Sequence, residues 1–363
     1  MHLRLLFATV LTILSISALG QSLFDETPKM TKETPYKISG FIRSGFFLNK
    51  PGNKPQLSSG FADLAIKIKT ENSSSFKAMA DLRFRYGMEF SSESKNLRIN
   101  EAYVMWYGLW AEIKAGQQIV KWSNSDFFRT QDRMNPRNNL YRTFDDNDRD
   151  LGNIMLKLNL RPLSVLDIEL LYIPFARPSV LSTGIISIPD IVTIVDLPDL
   201  SVSENGGSLG LSSSVHLRNF DWGISWYKGY NPMPAICFES ISLPQSDTDP
   251  PPSLIIESKL YEISMLASNI EFTAGKSIFR SELTYIGTGS GSNTSAFTSF
   301  SEIIFTFGME SSIGNLRFLL EYQGKYIVDF YPSIYEPGFP DSDSLPPGIP
   351  PEQLESIVGE QIA

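Results

Sequence analysis

The chain has 363 residues, a formal net charge of −9 and a single cysteine, Cys237. One cysteine excludes an intramolecular disulfide and makes a cysteine-built metal site untenable. The acidic balance, with no basic tract to neutralise phosphates, argues against a nucleic-acid partner.

The N-terminus has the pattern of a secretory signal peptide. Arg4 precedes an apolar core that is too short to span a bilayer, and small residues follow up to Gly20. We therefore expect 1–20 to be a signal peptide and the polar, aperiodic stretch 21–35 to be a flexible periplasmic leader. No later apolar stretch reaches about 18 residues, so no transmembrane helix is predicted.

From residue 36 onwards the sequence predicts strands with a two-residue period. In the third strand Leu82 and Phe84 share one face, whereas Arg83 and Arg85 share the other. The lengths suit tilted membrane strands of roughly nine residues or more. Thirteen strands are predicted, at 36–48, 60–70, 75–87, 97–107, 110–122, 151–160, 165–175, 206–217, 221–230, 257–267, 270–286, 299–311 and 315–330.

The connections alternate between short and long. Short turns are predicted at 72–74, 107–109, 161–164, 218–220, 268–269 and 312–314. Longer stretches are predicted at 49–59, 87–96, 123–150, 176–205, 231–256 and 287–298. Outer-membrane barrels keep short turns periplasmic and long loops extracellular, whereas Greek-key sandwiches have no reason for this order. The predicted fold class is therefore all-β, an antiparallel up-and-down transmembrane β-barrel over 36–330.

Aromatic residues fall near the predicted strand ends, where membrane barrels carry interfacial girdles. The alternative is that aromatic residues are simply common in strands. The girdle residues expected include Trp106, Trp110 and Trp222 beside short turns and Tyr86, Trp122 and Tyr285 at the far ends.

The strand count is odd, although single-chain bacterial barrels normally have an even number. We therefore expect the complete protein to contain fourteen or more strands and this sequence to be truncated at its C-terminus. In the alternative, one strand has been split or missed and the Pro-rich stretch 331–363 is a genuine extracellular loop or tail. A short helix is predicted within it, over 352–362.

Basic residues mark the predicted inward face of the second and third strands. A charge on the lipid face costs about 2–4 kcal/mol at the bilayer midplane, so these side chains should face the lumen. A network of mutually satisfied ion pairs is the alternative to an open pore lining. The residues are Lys67, Lys69, Arg83 and Arg85.

The connection 123–150 carries the densest charge. If it reaches inward, opposed acidic and basic rows would create the transverse field by which pores select polar solutes. The alternative is a solvated outer loop. Its candidate constriction residues are Arg129, Arg133 and Arg137.

No enzyme, metal site or cofactor is predicted. The acidic run 145–150 lacks the glycine and distal glutamate of an EF-hand loop. His216 is the sole histidine after the signal peptide. Ser212 and Ser214 share its face of the predicted strand, but the sequence shows no carboxylate that would complete a catalytic triad.

One segment resembles a known pattern. Its two parts are Gly116-Gln117-Gln118-Ile119-Val120-Lys121-Trp122 and Asp132-Arg133-Met134-Asn135-Pro136-Arg137. They resemble the Gly-Arg-Gln…Trp-Gly and Asn-Pro-Arg-Asp motif of an uncharacterised family of porin-like bacterial outer-membrane β-barrels. Gln117, Ser123 and Asn138 depart from that motif. The resemblance implies a Gram-negative outer-membrane channel or export-associated barrel, and the family has no established catalytic residues to carry over.

The predicted function is a porin-like channel in the bacterial outer membrane that passes a polar or amphipathic solute. Two alternatives stay open: a non-conducting structural or adhesive surface barrel, and a membrane lipid hydrolase. The expected partners are outer-membrane lipid and lipopolysaccharide, a small solute and, as an open question, further copies of the same barrel.

Overall fold

The computed structural model describes residues 35–49, 56–70, 75–89, 92–181, 192–195, 197, 200–202, 207–242, 253–288, 296–297 and 299–328. The predicted signal peptide, nearly all of the leader and the tail 331–363 lie outside the described residues. Among the described residues, helical structure is limited to a 3₁₀ turn, Asp146–Arg149, and no helix is long and apolar enough to cross a membrane.

Thirteen strands form one antiparallel sheet, which we call the wall. Each wall strand pairs with the next wall strand along the chain, and the first and last are the two edges. The wall strands are β1 (Tyr36–Asn49), β2 (Gln56–Thr70), β3 (Phe76–Glu89), β4 (Ser92–Tyr107), β5 (Ala111–Gln118), β6 (Asn153–Leu163), β7 (Leu166–Ile173), β11 (Ser208–His216), β12 (Phe220–Tyr230), β15 (Glu262–Ala274), β16 (Ser277–Thr288), β18 (Glu302–Ile313) and β19 (Leu316–Ile327).

Six shorter strands lie in the long connections. One pair is antiparallel, and the other four form a small sheet that joins three connections. These strands are β8 (Phe175–Ala176), β9 (Val192–Val195), β10 (Ser201–Val202), β13 (Ala235–Ser242), β14 (Ser253–Lys259) and β17 (Ala296–Phe297). They were not predicted, and the predicted strand 257–267 is divided between β14 and β15.

The all-β, up-and-down antiparallel prediction is confirmed, with thirteen wall strands that pair in chain order. The turn predicted at 268–269 is wrong, because both residues lie within β15. The chain turns instead at Gly275 and Lys276. Gly275 has φ +63°, a left-handed conformation that glycine adopts without steric cost.

The long connection predicted at 87–96 is also wrong. β3 continues through Glu89 and β4 begins at Ser92, with cross-strand pairs such as Met88 with Glu93. Polar residues such as Glu93 and Lys95 are exposed strand residues. The polar residues that suggested a loop therefore belong to two paired strands.

The wall is apolar outside and polar inside. Outward-facing apolar side chains are exposed along every wall strand, for example Ile42, Leu64, Leu82, Val104, Ile113, Leu156, Leu170, Leu211, Ile224, Leu266, Leu283, Phe307 and Leu320. On the inward face, Asp81, Glu282 and Thr306 are each only 1% exposed. This distribution is the reverse of that in a soluble protein.

The connection between β5 and β6, residues 119–152, packs against the inward face of the wall and is called the inserted segment. Gln131 and Met134 within it are completely buried. It contacts strands from β1, through Arg43, to β19, through Glu321. Because one short segment reaches both edge strands, the sheet curls around it.

Candidate functional site

Just before the inserted segment begins, the backbones of two wall strands lie unusually close together. Gly116 has φ +131°, and a Cβ at this position would lie 2.3 Å from the carbonyl oxygen of Ala102. Glycine is therefore required where β5 meets β4. Beyond Gln118 the chain departs from the predicted fifth strand, which ends four residues earlier than expected.

The two parts of the motif noted in the sequence contact each other. The Asp132 carboxylate accepts hydrogen bonds from the backbone N–H groups of Trp122 (2.7 Å) and Ser123 (3.1 Å). The Asn135 side chain accepts from the N–H of Val120 at 3.1 Å and donates to its carbonyl oxygen. Burial raises the pKa of Asp132, against the lowering effect of its two backbone donors.

Glu282 on β16 anchors the first half of the inserted segment. Its carboxylate accepts from the hydroxyls of Ser123 (2.9 Å) and Thr130 (2.7 Å). It also accepts from the backbone N–H groups of Asn124 (2.5 Å) and Ser125 (3.0 Å). Four donors from the eight residues 123–130 thus converge on one buried carboxylate, which fixes the path of the segment.

Weaker anchors surround Glu282. On this side the segment pairs with β12, β16, β18 and β19 through single hydrogen bonds or ion pairs. They are Gln131 with Ser225 (2.8 Å), Asp126 with Arg280 (2.8 Å), Ser125 with Thr306 (3.0 Å), Arg133 with Glu302 (3.4 Å) and the Phe127 N–H with Glu321 (2.7 Å).

Asp148 anchors the second half of the inserted segment to the opposite side of the wall. Its carboxylate pairs with Arg43 of β1 and, at 3.3 Å, with Arg83 of β3. It also accepts from the hydroxyl of Thr143 at 2.7 Å, and its backbone carbonyl accepts from Arg98 at 2.6 Å. At 8% exposure, Asp148 is a buried carboxylate held by several donors.

Arg85 contacts both the wall and the inserted segment. It pairs with Glu89 and, at 3.3 Å, with Asp63. Its guanidinium lies 3.7 Å from the centre of the Phe61 ring and 4.7 Å from that of Tyr141. Arg85 is only 5% exposed, so it holds the segment in place and presents little charge to solvent.

Arg129 and Arg137 meet on one aspartate of the inserted segment. Asp150, 3% exposed, lies 2.8 Å from Arg129 and 3.3 Å from Arg137. Lys121 lies 3.6 Å from the same carboxylate. Three cations therefore share one buried anion.

The remaining predicted residues are spread over the lumen. Lys67 lies 3.6 Å from Asp81. Lys69 is exposed at the short-turn end of β2, away from the anchors. Arg133 faces Glu302, on the side opposite the lysines. The structure thus groups Lys67, Arg83, Arg85, Arg129 and Arg137 around the second half of the segment and separates Lys69 and Arg133 from them.

Inward charge differs in sign between the two sides of the wall. Basic residues predominate on β1 to β4, and they include Arg43, Lys67, Arg83, Arg85 and Arg98. Acidic residues predominate on β15 to β19, and they include Glu271, Glu282, Glu302, Glu310 and Glu321. The inserted segment lies between these two sides and contacts both of them.

Two cavities lie beside the inserted segment. The larger, about 470 Å³, is bordered by Trp122, Glu169, Ser214, His216 and Glu271 among others. The smaller, about 270 Å³, is bordered by Arg43, Lys67, Arg83 and Asp148 among others. Lys121 borders both cavities, so it lies where they adjoin.

His216 has carboxylate partners that its sequence context did not reveal. Its Nδ1 lies 3.1 Å from Asp221 and its Nε2 lies 3.4 Å from Asp167. Both ring nitrogens therefore face carboxylates. A serine triad needs one of them to face the nucleophile, so this arrangement does not supply one.

Sequence reasoning missed the anchors of the segment. Glu282 and Asp148 carry no motif, and only a three-dimensional arrangement brings donors to them. Trp122 was expected in an aromatic girdle, and that prediction is wrong: it is 8% exposed and donates a hydrogen bond to Glu169 at 2.8 Å. The backbone N–H of Trp122 donates to Asp132 at 2.7 Å, a contact that the sequence did not reveal.

Comparisons with known proteins give fold-level likeness alone. No family model and no curated protein matches the chain. Among solved structures, OmpF of Salmonella typhi in complex with daunomycin aligns with a TM-score of 0.44 and 10% identity, over 80% of this chain and 78% of that one. An anion-selective porin from Comamonas acidovorans aligns with a TM-score of 0.44 and 10% identity, over 79% and 78%. OmpT, an outer-membrane protein of Vibrio cholerae, aligns with a TM-score of 0.41 and 10% identity, over 82% and 79%.

Proposed function

We propose that this protein is a porin-like channel of the bacterial outer membrane, through which a polar or amphipathic solute passes without covalent chemistry. One observation carries the proposal: an apolar outer face and a charged inner face enclose a segment that fills part of the lumen and leaves open cavities beside it. A membrane pore built from β-strands needs this arrangement, because alternate residues along each strand face lipid and water.

The membrane location is supported by the exposed outer face. Side chains such as Leu82 and Leu283 lie at the middle of their strands and would be exposed to water in a soluble protein. Trp106 and Trp222 near short turns, with Tyr86 and Tyr285 toward the other end, are exposed where interfacial girdles belong. Lipid and lipopolysaccharide are the proposed partners of this face.

Selectivity is proposed to come from pore width and from inward charge. The inserted segment narrows the lumen between a basic and an acidic side. The dipole of a polar solute that passes this constriction would orient along the field between the two sides. The proposed pore-lining set keeps Lys67, Lys69, Arg83, Arg85, Arg129, Arg133 and Arg137. Arg85 acts in it by positioning the segment, because its guanidinium is enclosed by Glu89, Asp63 and two rings.

Planar-bilayer recording of the full-length protein tests the proposal. We expect discrete current steps, and we expect the reversal potential in a salt gradient to shift toward cation preference when Lys67 and Arg129 are both changed to glutamate. A barrel that inserts into the bilayer without current steps would favour a non-conducting surface protein instead.

A further inference from the structure

The larger cavity beside the inserted segment carries acidic and basic side chains in close pairs. Every carboxylate that borders it has a basic neighbour. The pairs are Asp167 with Arg161 (2.9 Å), Glu169 with Lys157 (2.8 Å), Glu271 with Arg280 (2.8 Å) and Asp221 with His216 (3.1 Å). The remaining cation at the cavity, Lys121, lies 3.6 Å from Asp150. The cavity therefore presents no patch of a single sign, and a charged solute would meet a like charge beside every opposite one.

These pairs keep hydrogen-bonding capacity for a solute. Their contacts occupy Oδ1 of Asp221 and Oε2 of Glu271, whose side chains are 40% and 27% exposed. The second oxygen of each carboxylate can therefore accept a further hydrogen bond. Arg161 donates to Asp167 through Nε and is 68% exposed, so its terminal N–H groups can donate to a solute. Both acceptors and donors thus face the cavity.

Small residues on two neighbouring strands leave room for the cavity. Ser212 and Ser214 of β11 are half-buried, border the cavity and pair with carboxylate residues of β7. On the other side of β11, the residues opposite them are Ser225 and Gly223 of β12. The two cavity serines add uncharged hydroxyl groups, which can both donate and accept hydrogen bonds.

Trp122 of the inserted segment borders the same cavity with a fixed ring. Its indole N–H donates to Glu169 at 2.8 Å, and a Cβ at Gly210 would lie 2.7 Å from the tip of the ring. At 8% exposure the ring adds a small apolar contact among the polar groups. The cavity volume of about 470 Å³ lies within the range of about 300–1,000 Å³ that is typical of small-molecule sites.

We propose that the larger cavity is a binding subsite for small neutral polyhydroxyl solutes of the sugar type. Because each hydroxyl group both donates and accepts, such a solute can donate to Asp221 and Glu271 and accept from Arg161 without carrying a charge. Ser212 and Ser214 can pair with its hydroxyls in either direction. This inference rests on the proposed function for its purpose, since it names the class of polar solute that the lumen would favour.

Titration calorimetry of the full-length protein in detergent, with glucose and sucrose at millimolar concentrations, tests the subsite. We expect saturable binding of these two neutral probes. Glucuronate and glucosamine have the ring of glucose with one negative or one positive charge, and we expect both to bind more weakly than glucose. The absence of saturable binding of either neutral probe would overturn the subsite, as would tighter binding of a charged analogue than of glucose.

Two variants remove the proposed contacts. Asp221→Ala removes an accessible acceptor, and the double variant Ser212→Ala, Ser214→Ala removes two hydroxyls. We expect each variant to weaken glucose binding about five- to fiftyfold, the loss that one charge-assisted or two neutral hydrogen bonds would cause. If Asp221→Ala does not fold, the double serine variant decides, because it leaves every ion pair of the cavity in place.

Ser213→Ala is the matched control. Ser213 lies between the two cavity serines on β11 and pairs with the outward-facing Ile224, so its side chain lies on the opposite face of the wall. Its glucose affinity should equal that of the unmodified protein. An unchanged affinity in both test variants would overturn the subsite, as would an equal loss in Ser213→Ala.

The same preparations separate this inference from the proposed function. Glucose binding in a protein that passes no current would contradict the channel and support the subsite. Current without glucose or sucrose binding would overturn the subsite and leave the channel in place.

Discussion

The Thr130 hydroxyl donates a hydrogen bond of 2.7 Å to the Glu282 carboxylate, which joins the inserted segment to β16. On the opposite side of the lumen Asp148 pairs with Arg43 and Arg83. The segment is therefore fixed at both sides of the wall. On one side the wall supplies the carboxylate, Glu282, and on the other side the segment supplies it, Asp148. In the proposed channel, a segment held in this way would narrow the lumen without closing it.

Glu282→Gln should loosen the first half of the inserted segment. The amide replaces one acceptor oxygen by a donor that faces other donors, and an unsatisfied buried polar group costs about 1–3 kcal/mol. We expect a lower unfolding temperature and faster proteolysis within 119–152. Glu321→Gln is the control, since Glu321 accepts one N–H at 2.7 Å from Phe127. Equal proteolysis rates in the two variants would show that Glu282 is not the principal anchor.

Asp148→Asn should destabilise the protein, because Arg43 and Arg83 would both lose a carboxylate partner. Each guanidinium group keeps a second partner, Asp63 for Arg43 and Asp81 for Arg83. The cost should therefore lie below the about 3–5 kcal/mol of a buried charge left unpaired.

Asp146→Asn is the matched control for that variant. The Asp146 side chain is 50% exposed and pairs with Arg137 and Arg149. Exposed pairs contribute about 0–1 kcal/mol, so denaturant unfolding should separate the two variants clearly. A larger loss in Asp146→Asn would contradict the assigned anchor.

Stability should depend on the ionisation of Asp132. Burial raises the pKa of its carboxyl above the ordinary value of 3.8, so the folded protein binds this proton more tightly than the unfolded chain does. Its contribution to stability is complete below the ordinary value and is lost as the pH rises through the raised value.

Asp132→Asn removes that titration and retains an acceptor oxygen for the N–H groups of Trp122 and Ser123. The unfolding temperature of the variant, relative to the unmodified protein, should therefore rise from acidic to neutral pH. A difference that stays constant over this range would mean that Asp132 does not titrate as proposed.

An arginine on the outer face should destabilise the folded protein strongly at mid-strand and only weakly near a turn. Leu82 lies in the middle of β3 and is exposed, so Leu82→Arg should cost about 2–4 kcal/mol when the protein is folded in phospholipid vesicles. Leu163→Arg, at the turn end of β6, should cost about 0–1 kcal/mol. Equal effects at the two positions would contradict a membrane-embedded outer face.

The sequence predicted the wall well because alternation is a local property. Leu82 and Arg83 are adjacent in sequence and point to opposite faces, so their environments follow from the period alone. It failed at 268–269, where Ser and Asn suggest a turn but Gly275 supplies the required conformation more easily.

The site was less predictable because its partners are distant in sequence. The charges of Arg129 and Arg137 were evident, whereas their convergence on Asp150 depends on how the segment folds back. Glu282 lies more than a hundred residues from every donor that it accepts. No spacing rule could connect them.

Cysteine accessibility during bilayer recording tests the central claim that the ion path runs through the lumen past the inserted segment. In a Cys237→Ser background, Lys121→Cys should conduct until a charged methanethiosulfonate reagent is added and should then lose current in steps. Leu82→Cys, on the outer face, should conduct unchanged in the same reagent. Block at Leu82→Cys without block at Lys121→Cys, or an inserted protein without any current, would contradict the account.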